Sequence, residues 1–416
     1  MQRALLTGKL FRSSVLATML AALAIFAVTT QPAQAQKKAT VSKALAKPLK
    51  AAQDAMGKKD WPTARAKLRE AEAMSGRSDF DDFTINEMIG YVAVRQGQYG
   101  EAAEALEKSF NSPHFDKAQT ASRLNALSQL FYQVKNYGKS IEYGNRAIRG
   151  GTADEDMYTL VGQAYYVTKD YKNTIRLLGG YTSDVAKRGR TPKEQHLQLV
   201  LSSCINLKDN ACVTDSLEKL VAYYPKEDYW QNLVASLFAS TGNDDRLLLN
   251  VFRLAVEVNA MRRPEDYTEM AQLAIEKGSP GEAQSVLETA FARKVFTDKR
   301  EIDKNQRLLD QAKKLAATDK ASLKKVEAEA AGAKSGEAAV RVGQAYLSYG
   351  DYAKASALIQ QGIGKGGIKN AEETQLLLGI AELKNGQKAD AIKAFKAING
   401  SDSYKRIGNL WALHAG

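Results

Sequence analysis

Cysteine and histidine are scarce, two of the one and three of the other in 416 residues. Two cysteines cannot build the multi-bridge framework of a small disulfide-held fold. The histidines, at 114, 196 and 414, are too far apart in sequence to suggest a shared metal centre. No H-E-x-x-H, G-x-S-x-G or G-x-x-x-x-G-K pattern occurs, and the cysteines lack the C-x-x-C spacing of redox-active thiols. Acidic residues are spread so evenly that no carboxylate pair stands out. The sequence therefore assigns no catalytic residue, no metal and no cofactor, and it reads as a non-enzymatic protein. Sustained apolar–polar alternation is also missing from residue 40 onward, which excludes half-buried strands. One long apolar run exists, over 15–28, and its 14 residues fall short of the ~20 that a membrane-spanning helix requires.

That run has a different meaning. Arg3, Lys9 and Arg12 precede it, and Ala33-Gln34-Ala35 follows it. A basic start, an apolar middle and an A-x-A end are the marks of a secretory signal peptide. The expected mature chain starts at Gln36, is exported to a bacterial periplasm and has no stable membrane insertion. Export also removes nucleic acid as a partner, which a formal charge of +12 and a pI near 9.3 would otherwise permit.

The remainder repeats. Apolar residues recur at i, i+3, i+4 and i+7 in short helical segments punctuated by Gly, Asn, Asp and Lys. In residues 83–110 the pattern runs Gly90, Ala102, Leu106, Ser109; it returns as Gly162, Thr174, Leu178 and as Gly343, Ala355, Ile359. This resembles the tetratricopeptide repeat, a helix–turn–helix of about 34 residues with small residues at its eighth and twentieth positions. The eighth position reads Ala52, Gly90, Ser128, Gly162, Leu201, Ala235, Ala271, Gly343 and Gly379. Steps are 34 to 39 residues apart from one of 72, which leaves room for a degenerate repeat. Trp61, Tyr99, Tyr137, Tyr171 and Tyr352 close the turns between helices.

The resemblance implies an all-α, right-handed superhelical solenoid of about ten helical hairpins, ending in a capping helix that holds Ile407, Leu410, Trp411 and Leu413. Residues 1–35 are the signal peptide, 36–299 hold repeats 1–7, 300–335 a degenerate, basic repeat, and 336–416 the last repeats and the cap. The degenerate repeat is expected as a helical pair. Its first helix would bury Ile302, Leu308, Leu309, Ala312 and Leu315, and its second Leu323 and Val326.

In such repeats the first helix of each hairpin lines the concave face, through positions 2, 5, 9, 12 and 13. In repeats three to six these include Asn125, Gln129 and Tyr132; Thr159, Gln163 and Tyr166; Gln198 and Ser202; and Asn232, Ser236 and Ser240. Only Asp156 of the twenty residues concerned is charged. A ladder of amides and hydroxyls suits hydrogen bonding to an extended backbone, with tyrosines for apolar contact. The bland alternative is a run of ordinary solvent-facing polar residues.

Further features have smaller readings. Cys204 and Cys212 flank a turn at Lys208-Asp209-Asn210, and in an oxidising compartment a disulfide is the natural state, two buried thiols the alternative. Residues 362–367 match G-x-G-x-x-G, but they follow a helix where a dinucleotide site needs a strand, so the glycines end one helix and turn into the next. Residues 293–325 hold eleven Lys or Arg against five Asp or Glu. This stretch is either a solvated face or a surface for anionic partners. The segments 220–233, 244–257, 266–288 and 350–363 further resemble proteobacterial periplasmic repeat proteins, some associated with TonB–ExbB–ExbD systems. That resemblance implies a scaffold binding an extended segment of a cell-envelope protein. An adaptor for envelope polysaccharide assembly or export is the alternative.

Overall fold

The structure, a computed structural model, describes residues 39–239 and 241–416. The signal peptide read at 1–35 and the ladder position Ser240 lie outside the described residues. Within them the chain forms twenty α-helices, one short 3-10 turn and no strand. It divides into two compact units at Lys208/Asp209, inside the stretch read as repeats 1–7.

The N-terminal unit contains α1 (Lys43–Gly57), α2 (Trp61–Ala73), α3 (Asp79–Arg95), α4 (Tyr99–Phe110), α5 (Thr120–Gln133), α6 (Tyr137–Arg149), α7 (Glu155–Val167), α8 (Tyr171–Lys187) and α9 (Glu194–Leu207). Consecutive helices pack as hairpins, and α5 also packs on α7, and α7 on α9. The small residue at position eight is explained by what lies sixteen residues later. A Cβ at Gly162 would come within 2.7 Å of Leu178, and one at Gly90 would collide with Leu106. The third repeat exchanges the two roles. Ser128 holds the eighth position and Gly144 faces it, where a Cβ would meet Ser128 Oγ at 2.9 Å and collide with Val161 of the next repeat. Bulk is thus conserved across the helix crossing, not at one position.

The turns share one chemistry. Lys59, Lys135 and Lys169 adopt left-handed backbone at φ 58°, 62° and 62°. Asp60, Asn136 and Asp170 follow them and accept a hydrogen bond from the N–H three residues on. The aromatic expected at each turn is the first residue of the second helix: Trp61, Tyr99, Tyr137 and Tyr171. Two overlapping clusters, one centred on Leu45, Leu68 and Ile85, the other on Leu106, Leu127, Phe131 and Val161, form the core.

The C-terminal unit contains α10 (Asn210–Tyr223), α11 (Glu227–Phe238), α12 (Asp245–Glu257), α13 (Pro264–Glu276), α14 (Pro280–Ala292), α15 (Lys299–Gly332), α16 (Glu337–Ser348), α17 (Tyr352–Lys365), α18 (Ala371–Lys384), α19 (Lys388–Lys396) and α20 (Asp402–Ala415). The hairpin expected at 300–335 is replaced by α15, a single helix of 34 residues, about 50 Å long at 1.5 Å per residue. No glycine or proline stands between Lys299 and Ala331, and Ala, Lys, Leu and Glu dominate, so nothing stops the helix midway. Its buried stripe is Asn305, Leu309, Ala312, Ala316, Leu323 and Ala330. Ile302, Leu315 and Val326, expected inside, are exposed.

The two halves of α15 serve different cores. Leu309 and Ala312 join Phe252, Tyr267 and Leu287, while Leu323 and Ala330 join Val342, Tyr346 and Ala355. The final helix α20 covers α19 as a cap should, with Trp411 stacked on Phe395 at 5.7 Å. It also packs on α12. Buried Glu373 of α18 receives Arg246 Nη1 at 2.8 Å, and Arg253 and Asn250 flank it. Arg406 of α20 reaches Glu218 and Asp215 of α10 at 2.5 and 3.0 Å. The C-terminal unit is therefore closed on itself by polar bonds between its first and last helices.

Candidate functional site

The ladder read from sequence divides between the two units. Asn125, Gln129 and Tyr132 on α5, Thr159, Gln163 and Tyr166 on α7, and Gln198 and Ser202 on α9 belong to the N-terminal unit. All eight are partly buried. They stand on first helices that pack side by side, so equivalent positions recur from one hairpin to the next.

Two rungs have the same construction. Tyr132, at position twelve of its repeat, donates its hydroxyl to Gln163 Oε1 of the next repeat at 3.5 Å. Tyr166, at the same position one repeat on, lies beside the polar side chains of Ser202 and Asn206 of α9, which partly offset the rise in its phenol. Each tyrosine is braced edge-on by the aromatic that opens the following helix, Tyr132 by Tyr137 at 5.3 Å and Tyr166 by Tyr171 at 5.5 Å. Burial, reinforced by Tyr137, pushes the Tyr132 phenol up to about 12. Tyr166 is raised by burial and by Tyr171. Both stay protonated donors at neutral pH. The edge of the ladder at Asn125 is unfinished: its Oδ1 is buried without a hydrogen-bond partner.

Behind the rungs lies a buried histidine. Thr159 Oγ1 and His196 Nε2 are 2.7 Å apart, and Tyr181 meets the ring edge-on at 5.6 Å. His196 is fully buried, and desolvation outweighs nearby Glu155, pushing its imidazole down to about 4. It is neutral at physiological pH and positions Thr159 and α9. Arg123, also buried on α5, forks onto Glu87 of α3 at 2.7 and 2.8 Å and locks the preceding repeat in register. Neither residue was singled out as part of the site; a lone polar residue on an apolar stripe was the only signal.

Asn232 and Ser236, read as the sixth-repeat rungs, stand on α11 of the C-terminal unit. The Ser236 hydroxyl bonds to Thr214 of α10, the second helix of the preceding repeat. Asn232 Nδ2 donates to the Asp228 carbonyl at 2.8 Å, and its Oδ1 is buried without a partner. The ladder positions on α5, α7 and α9 share one compact unit, and those on α11 lie in the other.

Cys204 and Cys212 are joined in a disulfide. Cys204 lies in the last turn of α9. Lys208 takes left-handed backbone at φ 56°, and Asp209 caps α10 by accepting the Cys212 N–H at 3.0 Å. In 362–367 the chain stays helical to Lys365, then Gly366 and Gly367 turn with φ 72° and 67°. Lys365 Nζ donates to the carbonyls of Ala330, Ala331 and Ala333, which closes the C-terminal end of α15. His114 packs edge-on against Phe80, and His414 lies 3.4 Å from Glu257. Among the described residues no group of three or more His, Cys, Asp or Glu stands close enough to hold a metal, and no helix is long and apolar enough to cross a membrane.

Comparison with known proteins agrees with this geometry. A family model described as tetratricopeptide repeat matches residues 49–114, 87–158 and 340–404. No curated protein sequence matches the chain. Among solved structures, a tetratricopeptide repeat protein from Parabacteroides merdae is 12% identical, covering 89% of this chain and 99% of its own, with a TM-score of 0.25. The P58(IPK) TPR domain is 11% identical over 89% of this chain and 98% of its own, at 0.23. Yeast Tom70 is 12% identical over 90% and 96%, at 0.21. With scores this low, the assignment rests on the family model and on the repeated hairpin geometry. The chain is an all-helical tandem array that carries tetratricopeptide repeats at residues 49–158 and 340–404.

Proposed function

We propose that this protein is a non-enzymatic scaffold of the bacterial periplasm that holds an extended segment of another cell-envelope protein along α5, α7 and α9. Tetratricopeptide repeats serve as protein-interaction modules, and the single observation carrying the reading is the repeated rung: a braced tyrosine and an amide or hydroxyl at each step. An extended backbone offers a donor or acceptor at every residue, which such rungs can meet in turn. The periplasmic assignment draws support from the basic, apolar and A-x-A segments within 1–35 and from a disulfide suited to an oxidising compartment. Placement in a TonB-type energy-transduction system draws only on the resemblance stated above.

A second reading, an adaptor for envelope polysaccharide assembly or export, has the basic face of α15 in its favour. Crosslinking capture from intact cells separates the two. Replacing Asn125, Gln163 and Gln198 together by alanine should abolish capture and leave helix content intact. Undiminished capture, lost instead when the charges of Lys313, Lys314, Lys324 and Lys325 are reversed, would move the site to α15.

A further inference from the structure

The rungs of the N-terminal unit form two parallel lines. At position nine stand Gln129, Gln163 and Ser202, and at position twelve Tyr132, Tyr166 and Ile205. Positions three residues apart share one face of a helix, so each first helix sets a polar group beside an apolar one. Ile205 leaves its apolar surface 38% exposed. The tyrosines add shape as well as area. Tyr132 meets Tyr137 at 72° and Tyr166 meets Tyr171 at 64°, so each pair makes a corner of two rings. All four rings are only partly buried. Grooves lined by aromatic rings are where proline-rich segments dock.

Spacing decides which extended conformation fits. The first helices pack directly on one another, and packed helices lie about 8–10 Å apart. One turn of polyproline II, three residues, advances about 9.3 Å, so every third residue meets an equivalent position of the next repeat. A β-strand presents the same face every second residue, about 6.7 Å on, and falls out of step after one rung.

Hydrogen-bonding capacity points the same way. Proline carries a carbonyl acceptor and no N–H donor. The Tyr132 hydroxyl engages Gln163 Oε1 at 3.5 Å, and among the described residues nothing bonds the Gln163 amide nitrogen. Gln163 therefore meets a segment chiefly as a donor. Charge is nearly absent: Asp156 alone of the ladder positions carries one, and Lys193 Nζ lies 3.4 Å from it.

We infer, on the ladder reading above, that the segment held along α5, α7 and α9 is uncharged and proline-rich and lies as a polyproline II helix, every third residue against the position-twelve line. Calorimetric titration of the full chain with capped dodecaproline, about 37 Å long, tests this against capped (Ala-Gly-Gln)4, an uncharged and flexible peptide of the same length. Dodecaproline should bind saturably and at least about tenfold more tightly than the control. Tyr166→Leu keeps an apolar side chain but removes the corner; with helix content unchanged, it should weaken dodecaproline by about tenfold. Ile205→Tyr, at an exposed position, adds a ring to the line and should tighten binding by about threefold or more. Equal binding of the two peptides would overturn the proline assignment and leave a ladder for extended segments in general. No binding of dodecaproline, or binding that ignores both substitutions, would overturn it as well. Capture from intact cells, and its loss when Asn125, Gln163 and Gln198 become alanine, decides the ladder itself separately.

Discussion

The two compact units start from the same hairpin and are held together by different rules. In the N-terminal unit the side-chain bonds between repeats join near neighbours, as in Arg123–Glu87 at 36 positions and Thr159–His196 at 37. Stability there is a chain of adjacent interfaces. In the C-terminal unit Arg246 and Glu373 are 127 positions apart, and Arg406 and Glu218 are 188. An open array can spread or tighten along its length to fit a segment laid across it. A unit tied between its first and last helices is held at a fixed length instead. The difference fits the function proposed above, in which the open array of the first unit holds the extended segment.

The sharpest way to break this comparison is to remove the closure. Arg253→Met leaves partly buried Glu282 without its cation and takes one of two cations from buried Glu373, which should cost about 3–5 kcal/mol. Hydrogen exchange should show the loss in α12 and α18 and leave α3 to α7 untouched. Uniform loss across the chain would mean that the two units melt as one. Next in size is Ala317→Pro, at an exposed position in the middle of α15. A helix interior loses about 3 kcal/mol or more to proline, whereas a hairpin turn would absorb it. Thermal unfolding distinguishes the two outcomes.

These cases show what the sequence could reveal. The pairing of Gly90 with Leu106 and Gly162 with Leu178 was legible because a close helix crossing leaves the same imprint once per repeat. The third repeat hid the imprint by exchanging partners, Ser128 with Gly144. The single helix α15 was misjudged as a hairpin because spacing alone assigned it two helices; the missing glycine and proline carried the better signal. Closure around Glu373 left no periodic trace, since contacts between distant repeats follow no spacing. The ladder residues of α5, α7 and α9 were legible by register, but His196 behind them was not, because one histidine on an apolar stripe gives no hint of Thr159.

His196 gives the N-terminal unit a pH signature of its own. Its imidazole titrates near 6.5 when exposed and at about 4 when folded. The unfolded chain therefore binds a proton first, so stability is full above pH 6.5 and falls as pH drops towards 4, by about 3 kcal/mol. Urea unfolding of the wild type and His196→Gln across this range should show the steeper slope in the wild type. The remainder comes from carboxylates such as Asp81 and Glu257, which the fold holds below their ordinary range. The smallest effect has the opposite sign. Lys169→Gly relieves a left-handed residue in a repeat turn and should stabilise by about 1 kcal/mol, read as a higher urea midpoint. An unchanged or lower midpoint would show that the turn chemistry shared by Lys59, Lys135 and Lys169 is not strained.

The central claim is that a partner segment lies along the first helices of the N-terminal unit. A photo-crosslinking amino acid placed at Gln129, and separately at Lys314 on the basic face of α15, tests it in intact cells. The account predicts one adduct from Gln129, traced by mass spectrometry to a single peptide of an envelope protein and lost when Asn125, Gln163 and Gln198 become alanine. Adducts from Lys314 alone, with none from Gln129, would contradict it.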